Sequence, residues 1–492
     1  MNASTTRAES QPHTYQLVGR ILGPAVFLVM MAFDPVQQVM DPQAWRVAAV
    51  GLGMAIWWAT EALPVPVTAF VPLIAFDPLG IAPLREAAAP YANPIIYLFL
   101  GGFMMALAVE RCNLHRRISL AILDRTGTDG RRLIGGFMVV CALLSMWMTN
   151  TSTTMMLLPI VLSVIVVIRE NVPDLSDKDA NNFEIAILLS LAYAASIGGL
   201  ATLIGTPPNA FLAGYLAENY DIQISFARWM LVGIPVSLVM LPLAWLLLTR
   251  LLHPVNVPAS SAVNAHLHQL REEMGPITAP EKRVAWIFSL VILGWMLRRP
   301  LTEWLGLSGV SDASIVMTGA IALFLIPSGD KNQKRLMTWE ATARLPWGVL
   351  ILFGGGLSLA AAVSNSGLAL WLGEQLAPLS GLGIAVLVAA AVALVIFLTE
   401  LTSNLATTAT LLPVMGAIAL QAGLPPLVLT VPITIAASCA FMLPVATPPN
   451  AIVFSTGRLH IPQMVRAGIL LNILGIILVS LVALFLAPEV LY

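Results

Sequence analysis

Long apolar stretches separated by short polar segments run through most of the chain. Many of them are long enough to cross, or nearly cross, a hydrocarbon core of about 30 Å. These predicted spans are 18–34, 46–60, 65–81, 95–110, 185–203, 229–250, 285–297, 310–326, 346–363, 427–446 and 467–487. The pattern predicts an all-α polytopic membrane protein with about 11 transmembrane helices.

Two further apolar regions, 133–168 and 384–421, are each interrupted half-way by a polar cluster. The clusters read TNTSTT from Thr149 and SNLATT from Ser403. Polar groups are tolerated at membrane depth only where protein or a cavity surrounds them. We therefore predict that both regions are re-entrant helix–turn–helix hairpins.

The composition supports a membrane protein. Of the 492 residues, 10% are charged, against about 25% in soluble domains, and 58% are hydrophobic. This balance excludes an aqueous globular enzyme, and a net charge of −1 gives no field to attract nucleic acid. Cys112, Cys141 and Cys439 lie in or beside apolar runs, so no disulfide framework is predicted.

Basic residues are distributed unevenly between the connecting segments. Residues 111–132 hold six arginines, whereas 34–44 and 365–386 hold no Lys or Arg. Because basic loops stay in the cytoplasm, we expect a multi-pass protein of the cell (inner) membrane. Its N-terminus is then cytoplasmic and its C-terminus outside. Arg298 and Arg299 fall on the outer side and fit this arrangement poorly.

The chain contains an internal repeat. A shift of 254 positions places TNTSTT over SNLATT, and a shift of 241 places the TPPN sequence at Thr206 over the one at Thr447. The predicted organisation is a polar tail (1–15), a first repeat (16–252, break at 206–209), a cytoplasmic linker (253–284) and a second repeat (285–492, break at 447–450).

The charge pattern indicates that the repeats are inverted. Segment 111–132 is rich in arginine, while its equivalent, 365–386, has no basic residue. Inverted repeats with broken helices are typical of secondary transporters, whose site lies where the breaks meet. A duplication kept only for packing is the alternative. We favour transport because the matched positions are polar residues in apolar surroundings.

The matched motifs offer ligands for two kinds of ion. Backbone carbonyls freed by proline, with Ser, Thr and Asn oxygens, suit an alkali cation. The N-termini of half-helices suit an anion. Neither tip nor break contains Lys, Arg or His, so a buried dianion would lack a fixed counter-charge at a cost of many kcal/mol. We therefore expect Na⁺ to bind first and to neutralise the anion. A single cluster of Ser, Thr and Asn would more often serve hydrogen bonding between helices. Its repetition in both halves of the chain favours ion binding.

The chain resembles the divalent anion–sodium symporter family, which includes di- and tricarboxylate transporters. The resemblance covers nearly the whole chain after the tail. It is carried by WWATEALP from Trp57, NPIIYLF from Asn93, NLHRR from Asn113, both tips and both TPPN sequences. It implies a homodimer in which each protomer has a scaffold and a transport domain that moves as an elevator.

The resemblance also implies the site residues. The first sodium site would use Ser145, Thr149, Asn150 and the backbone near Gly198, and the second Thr399, Thr402, Asn404 and the backbone near Ala446. The substrate carboxylates would contact Asn150, Thr151, Ser403 and Asn404, with Thr206 and Thr447 nearby. The second tip departs from the family's Ser-Asn-Thr pattern, because Leu405 replaces a hydroxyl residue.

The predicted function is sodium-coupled import of C4-dicarboxylates such as succinate, fumarate or malate. A sodium-independent dicarboxylate exchanger and a sodium-coupled citrate or sulfate carrier are the alternatives. A membrane enzyme or receptor would require a catalytic constellation inside the spans, and the sequence offers none. Glu400, three residues before Ser403, is predicted to fix the hairpin backbone or to pair with a nearby donor rather than to bind substrate.

Overall fold

The computed structural model describes residues 14–33, 40–172, 175–306, 309–330, 334–376 and 383–491, so most of the predicted tail lies outside the described residues. The helices are α1 (Thr14–Ala32), α2 (Pro42–Ala59), α3 (Val65–Thr68), α4 (Val71–Ala75), α5 (Leu84–Ala88), α6 (Pro94–Arg111), α7 (Leu114–Thr126), α8 (Gly130–Ser145), α9 (Asn150–Asn171), α10 (Asp177–Gly199), α11 (Pro207–Tyr220), α12 (Phe226–Leu246), α13 (Ser261–Glu273), α14 (Ala279–Leu305), α15 (Asp312–Leu325), α16 (Trp347–Asn365), α17 (Leu368–Leu376), α18 (Ile384–Thr399), α19 (Asn404–Gln421), α20 (Leu427–Ala437), α21 (Pro448–Phe454), α22 (Ile461–Leu481) and α23 (Ala487–Leu491). Short 3₁₀ segments lie at Ala89–Ala92 and Glu340–Arg344, and π-helical segments at Leu247–Leu252 and Val482–Leu486.

The fold is all-α, as predicted. Within the described residues, eight helical segments are long and apolar enough to cross a membrane, and four shorter apolar helices accompany them. The one extended pairing described is an isolated bridge between Pro327 and Arg335. The class of an all-α polytopic membrane protein is therefore confirmed.

The stretch 65–81 differs from the predicted single span. It contains two short helices, α3 and α4, each with proline in its first turn, followed by turns. Pro66 and Pro72 lack a backbone donor, so a continuous helix through them would lose hydrogen bonds. The hydropathy of the stretch does not register this interruption.

Each repeat contains two helices that meet at a polar turn. Helix α8 ends at Ser145 and α9 begins at Asn150; helix α18 ends at Thr399 and α19 begins at Asn404. The two turns are equivalent under the shift of 254 positions. We call residues 145–154 the first tip and residues 399–408 the second tip.

Each repeat also contains an unwound segment. In the first repeat it lies between α10 and α11, at 200–206, and in the second between α20 and α21, at 438–447. The interruption lies upstream of the paired prolines, and the prolines begin the next helix. Proline is favourable there because the first helical N–H groups have no intrahelical partner.

The two repeats interlock. Helix α11 of the first repeat packs against α19 and α20 of the second, while α21 packs against α9 and α10. The buried carboxylate of Glu184 accepts hydrogen bonds from Arg169 in its own repeat and from Arg458 in the other. Each helix after a TPPN sequence therefore contacts the hairpin of the opposite repeat.

Two further ion pairs connect other helices of the fold. Arg298 Nε lies 2.9 Å from Asp312, whose other carboxylate oxygen accepts the backbone N–H of Phe226. Arg298 is thus compensated within the protein. Arg117 Nε lies 2.7 Å from Glu281, which joins α7 to the start of α14. The linker helix α13 lies against α7 and α9.

Candidate functional site

The first tip is organised around Asn150. Ser145 Oγ donates to Asn150 Oδ1 at 2.5 Å, across the turn between α8 and α9. Thr154 Oγ1 donates to the backbone carbonyl of Asn150 at 2.8 Å. A hydroxyl at the end of one helix therefore fixes the first side chain of the next.

The second tip repeats this geometry. Thr399 Oγ1 lies 2.8 Å from Asn404 Oδ1 and 2.9 Å from the carbonyl of Ala437, and Thr408 Oγ1 donates to the carbonyl of Asn404 at 2.8 Å. Ser145 corresponds to Thr399, and Asn150 to Asn404, under the same shift. The sequence repeat is thus also a repeat of hydrogen bonds.

The predicted hydroxyl residues Thr149 and Thr402 stabilise the turns. Thr149 caps α9 by accepting the N–H of Ser152 at 3.2 Å. Thr402 Oγ1 donates to the carbonyl of Leu398 at 2.9 Å and lies 2.6 Å from Thr407 Oγ1. Both hydroxyls already have protein partners in this structure.

Donors remain available at both tips. Thr151 and Ser403 are half-buried, and their hydroxyls make no hydrogen bond to any described residue. With the oxygens of Asn150 and Asn404 accepting from hydroxyls, their amide N–H groups are the free ends of those side chains. Hydroxyl and amide donors without a partner suit a carboxylate ligand.

Glycine allows the first tip to approach the end of α10. A Cβ added at Gly199 would lie 2.6 Å from Asn150 Oδ1, and one at Gly198 would lie 2.4 Å from the carbonyl oxygen of Ala142. The Gly198 carbonyl accepts the N–H of Ala201 at 3.1 Å. The residue in contact with Asn150 is thus Gly199, next to the predicted Gly198.

Ala446 lies near the end of the second unwound segment. It is buried, and its N–H donates to the carbonyl of Leu443 at 3.2 Å. Thr399 of the second tip donates to a different backbone oxygen, that of Ala437.

The asparagines of the TPPN sequences hold the unwound segments, a role that the sequence analysis missed. Asn209 Nδ2, with two N–H donors, lies 3.2, 3.3 and 2.8 Å from the carbonyl oxygens of Gly199, Leu200 and Thr202. Asn450 Nδ2 donates to Ala440 and Leu443 at 3.3 and 3.0 Å, two positions related to Gly199 and Thr202 by the shift of 241. The repetition of the Asn in both motifs was the signal that could have revealed this role.

The threonines that precede the prolines differ. Thr206 Oγ1 lies 3.5 Å from Ser438 Oγ, so the first TPPN sequence meets the unwound segment of the second repeat. Thr447 Oγ1 accepts the N–H of Asn450 at 3.3 Å and caps α21. Both are buried, and neither is hydrogen-bonded to a tip among the described residues.

A buried carboxylate supports the second unwound segment. Glu400 accepts the backbone N–H groups of Phe441, Met442 and Leu443 at 2.7–3.1 Å, and Asn472 Nδ2 donates to it at 2.8 Å. The position equivalent to Glu400 in the first repeat is Met146, whose carbonyl accepts from Thr202. The predicted structural role of Glu400 therefore agrees with its contacts.

Leu405 points into the apolar core. Its side chain is 4% exposed and belongs to the main hydrophobic cluster, whereas its equivalent, Thr151, is half-buried. The missing hydroxyl of the second tip is thus replaced by apolar packing. The groups that form hydrogen bonds at the two tips are hydroxyls, amides, a carboxylate and backbone groups.

Similarity to known proteins agrees with this architecture. Residues 15–488 match the family model described as the sodium:sulfate symporter transmembrane region. The sodium-dependent dicarboxylate transporter SdcS of Staphylococcus saprophyticus is 42% identical over 480 residues, which cover 97% of this chain and 92% of that protein. SdcS of Staphylococcus aureus strain MRSA252 is 41% identical over 489 residues, with the same coverage.

Two solved structures share the fold at 14% sequence identity. The YdaH transporter of Alcanivorax borkumensis aligns with a TM-score of 0.52, covering 94% of this chain and 97% of that one. MtrF of Neisseria gonorrhoeae, described among antimetabolite efflux pumps, aligns with a TM-score of 0.53, covering 96% and 95%. The family match and the identity to SdcS over almost the full length confirm the resemblance found in the sequence. The chain is a multi-pass membrane transporter, not an enzyme, and belongs to the sodium:sulfate symporter family.

Proposed function

We propose that the protein imports C4-dicarboxylates, such as succinate, fumarate or malate, together with sodium ions. The observation that carries this proposal is the pair of equivalent tips. Each places a hydroxyl–asparagine hydrogen bond beside an unwound backbone segment, and each leaves amide and hydroxyl donors free. Two such sites suit a substrate with two carboxylates. SdcS, which is 42% identical, is named a sodium-dependent dicarboxylate transporter.

In this proposal the coupling ion is Na⁺ and the tips hold it. Ser145, Thr149, Asn150 and the backbone around Gly198 form the first cation site; Thr399, Thr402, Asn404 and the backbone around Ala446 form the second. The hydroxyl of Ser145 donates a hydrogen bond to Asn150 Oδ1 in this structure, and the same two oxygens can coordinate a cation instead. Bound cations also provide the positive charge that an acid needs in a buried site.

The substrate carboxylates then contact Asn150, Thr151, Ser403 and Asn404, close to Thr206 and Thr447. Cations bind before the anion, because the anion would otherwise be buried without a counter-charge. The donors of the tips also lie at the N-termini of α9 and α19, where the helix dipole favours a negative group.

Movement in this proposal is that of an elevator. The interlocked hairpins and unwound segments form one transport domain, and the remaining spans of the two inverted repeats form the scaffold. The Glu184 ion cluster and the contact between Thr206 and Ser438 support a single body, because both cross between the repeats. The proposal includes a homodimer in the bilayer with cytoplasmic N-termini and outside C-termini.

The central test is uptake of labelled succinate by proteoliposomes. An inward sodium gradient should drive accumulation, choline in place of sodium should abolish it, and an outward sodium gradient should reverse the flux. Uptake that is unchanged in choline would contradict sodium coupling and favour a dicarboxylate exchanger. Competition by unlabelled malate, fumarate, citrate and sulfate ranks the substrates; stronger competition by sulfate or citrate than by succinate would contradict the C4 assignment.

The tips are tested by Asn150→Ala and Asn404→Ala. Each change removes an amide that contributes an oxygen to a cation and a donor to a carboxylate, so sodium-dependent uptake should fall at least tenfold. Asn219→Ala, outside the tips in α11, is the control and should retain uptake. Wild-type uptake in either tip variant would contradict the assignment.

A further inference from the structure

A cavity lined partly by polar side chains lies away from the tips, between helix α7, the hairpin helix α9 and the linker helix α13. Its volume is about 360 Å³. That size falls in the range of small-molecule sites, about 300–1,000 Å³. The cavity is lined by α9 from Met156 to Ser163, about two to three and a half helical turns beyond Asn150.

The polar wall of this cavity carries hydrogen-bonding groups from all three helices. Arg116 and Ser119 come from α7, Ser163 from α9 and His266 from α13. His266 Nε2 lies 2.9 Å from Ser163 Oγ, which ties the linker to the hairpin. His115, also in the wall, is buried on α7, and burial lowers its pKa, so its imidazole is neutral at neutral pH.

Arg116 supplies the positive charge. Its neighbour Arg117 is paired with Glu281, and Arg125 of the same helix donates to the carbonyl of Ala121. The half-buried Arg116 has no ion-pair or hydrogen-bond partner among the described residues. A half-buried guanidinium without a carboxylate favours an oxyanion, which it can bind through two parallel N–H groups.

Apolar side chains also line the cavity, among them Leu157 and Ile160 of α9 and Leu270 of α13. A ligand here therefore has an anionic end and room for a few apolar atoms beside it.

The geometry points to a second, sodium-independent site that binds a small oxyanion, a phosphate or carboxylate group, between Arg116, Ser163 and His266. The ligand would contact an element from each of the three helices. Because α9 is part of the first hairpin, occupancy would hold that hairpin against α7 and the linker and slow transport. Only this regulatory consequence rests on the proposed function; binding at the cavity does not.

Binding is tested on the purified full-length protein in neutral detergent, in sodium-free potassium buffer. Potassium phosphate is titrated against potassium chloride of equal ionic strength, and the thermal unfolding midpoint is followed. The expected result is a saturable rise of about 2 °C or more. In Arg116→Gln, the phosphate concentration that gives half of this rise should increase about tenfold or more. The matched control Arg125→Gln, an exposed arginine of the same helix, should behave as the wild type.

A second arm distinguishes a free anion from a lipid headgroup. The same midpoint is measured in micelles containing phosphatidylglycerol or phosphatidylcholine. A rise with phosphatidylglycerol that Arg116→Gln abolishes assigns the site to a lipid headgroup; a rise with phosphate that Arg116→Gln abolishes assigns it to a free anion. No rise with either probe, or an equal rise in Arg116→Gln, would overturn the site. Should Arg116→Gln fail to fold, His266→Ala, which removes a second ligand, must weaken the same response.

The sodium-free buffer separates this proposal from the transport proposal. If succinate uptake proves independent of sodium, the phosphate response at Arg116 can still stand. If the phosphate response is absent, sodium-driven uptake through the tips is unaffected.

Discussion

At the scale of single residues, Glu400 shows what a buried charge does beside an unwound helix. Its carboxylate accepts three consecutive backbone N–H groups, which the loss of helix between α20 and α21 would otherwise leave unpaired. Unpaired buried donors cost about 1–3 kcal/mol each. The carboxylate therefore stabilises a backbone that would be unfavourable inside a membrane protein.

Glu400→Gln tests this role. The amide offers one acceptor oxygen and turns an N–H₂ group toward donors, so we expect a thermal destabilisation of about 2–5 kcal/mol. Sodium-dependent uptake should fall as well, because Thr399 contacts the carbonyl of Ala437, the residue just before the same segment. Glu374→Gln, an exposed change on α17, is the control. An unchanged unfolding midpoint would show that the four hydrogen bonds do not support the segment.

The hydroxyl of Thr399 connects the second tip to the end of α20. One hydroxyl reaches both Asn404 Oδ1 and the carbonyl of Ala437. We expect Thr399→Val to raise the sodium concentration for half-maximal uptake about tenfold, since the loss of one charge-assisted contact is worth about 1.4 kcal/mol. Thr399→Ser keeps the hydroxyl and should restore the wild-type value. Equal effects of both variants would indicate packing rather than ligation.

At the scale of elements, the close contact of α8 with α10 depends on glycine. A Cβ at Gly198 would lie 2.4 Å from the backbone oxygen of Ala142, which cannot move without shifting α8. We expect Gly198→Ala to displace the first tip, lowering both sodium-dependent uptake and the unfolding midpoint. Gly51→Ala is the matched control, because the nearest atom to its Cβ, Leu359 Cδ1, is 3.5 Å away. Wild-type uptake in Gly198→Ala would show that the helices separate without cost to the site.

The hairpin helices and the polar tips could be predicted because hydropathy and polar clusters are local features of the sequence. The turns lie between Ser145 and Asn150 and between Thr399 and Asn404, and each polar cluster begins at the last residue of its turn. The span predicted at 65–81 was wrong in detail, since hydropathy averages over the prolines that divide it into α3 and α4.

Contacts between distant segments could not be predicted in the same way. The contact between Thr206 and Ser438, 232 positions apart, depends on how the repeats interlock. So does the close approach of Gly199 to Asn150, because the packing of α10 against the first tip decides which residue of the helix end faces it. Sequence periodicity places residues on elements, but it carries no information on the pairing of those elements.

At the scale of the whole molecule, the repeats must move together if the tips are to carry one substrate between them. The Glu184 cluster is the clearest ionic connection between them: Arg169 Nε lies 3.0 Å and Arg458 Nη1 2.5 Å from the carboxylate. Glu184 is 5% exposed in its side chain, whereas Arg169 and Arg458 are 42% and 36% exposed. Solvent therefore screens the arginines, and each pair contributes modestly.

A double-mutant cycle of Glu184→Gln with Arg458→Gln measures this connection. We expect a coupling energy of about 1 kcal/mol in thermal unfolding, since one partner is buried and the other is screened. The pair of Asp129 with Arg132, at the start of α8 and with side chains 35% and 75% exposed, is the control and should couple by less than about 0.5 kcal/mol. The Glu184 cluster joins both repeats. Loss of Arg458 should therefore also reduce the extent to which sodium slows amide hydrogen exchange in 200–206, although Arg458 lies in the other repeat. Protection that changes only in 438–447 would mean that the repeats respond to sodium as separate bodies, and a single moving domain would then be untenable.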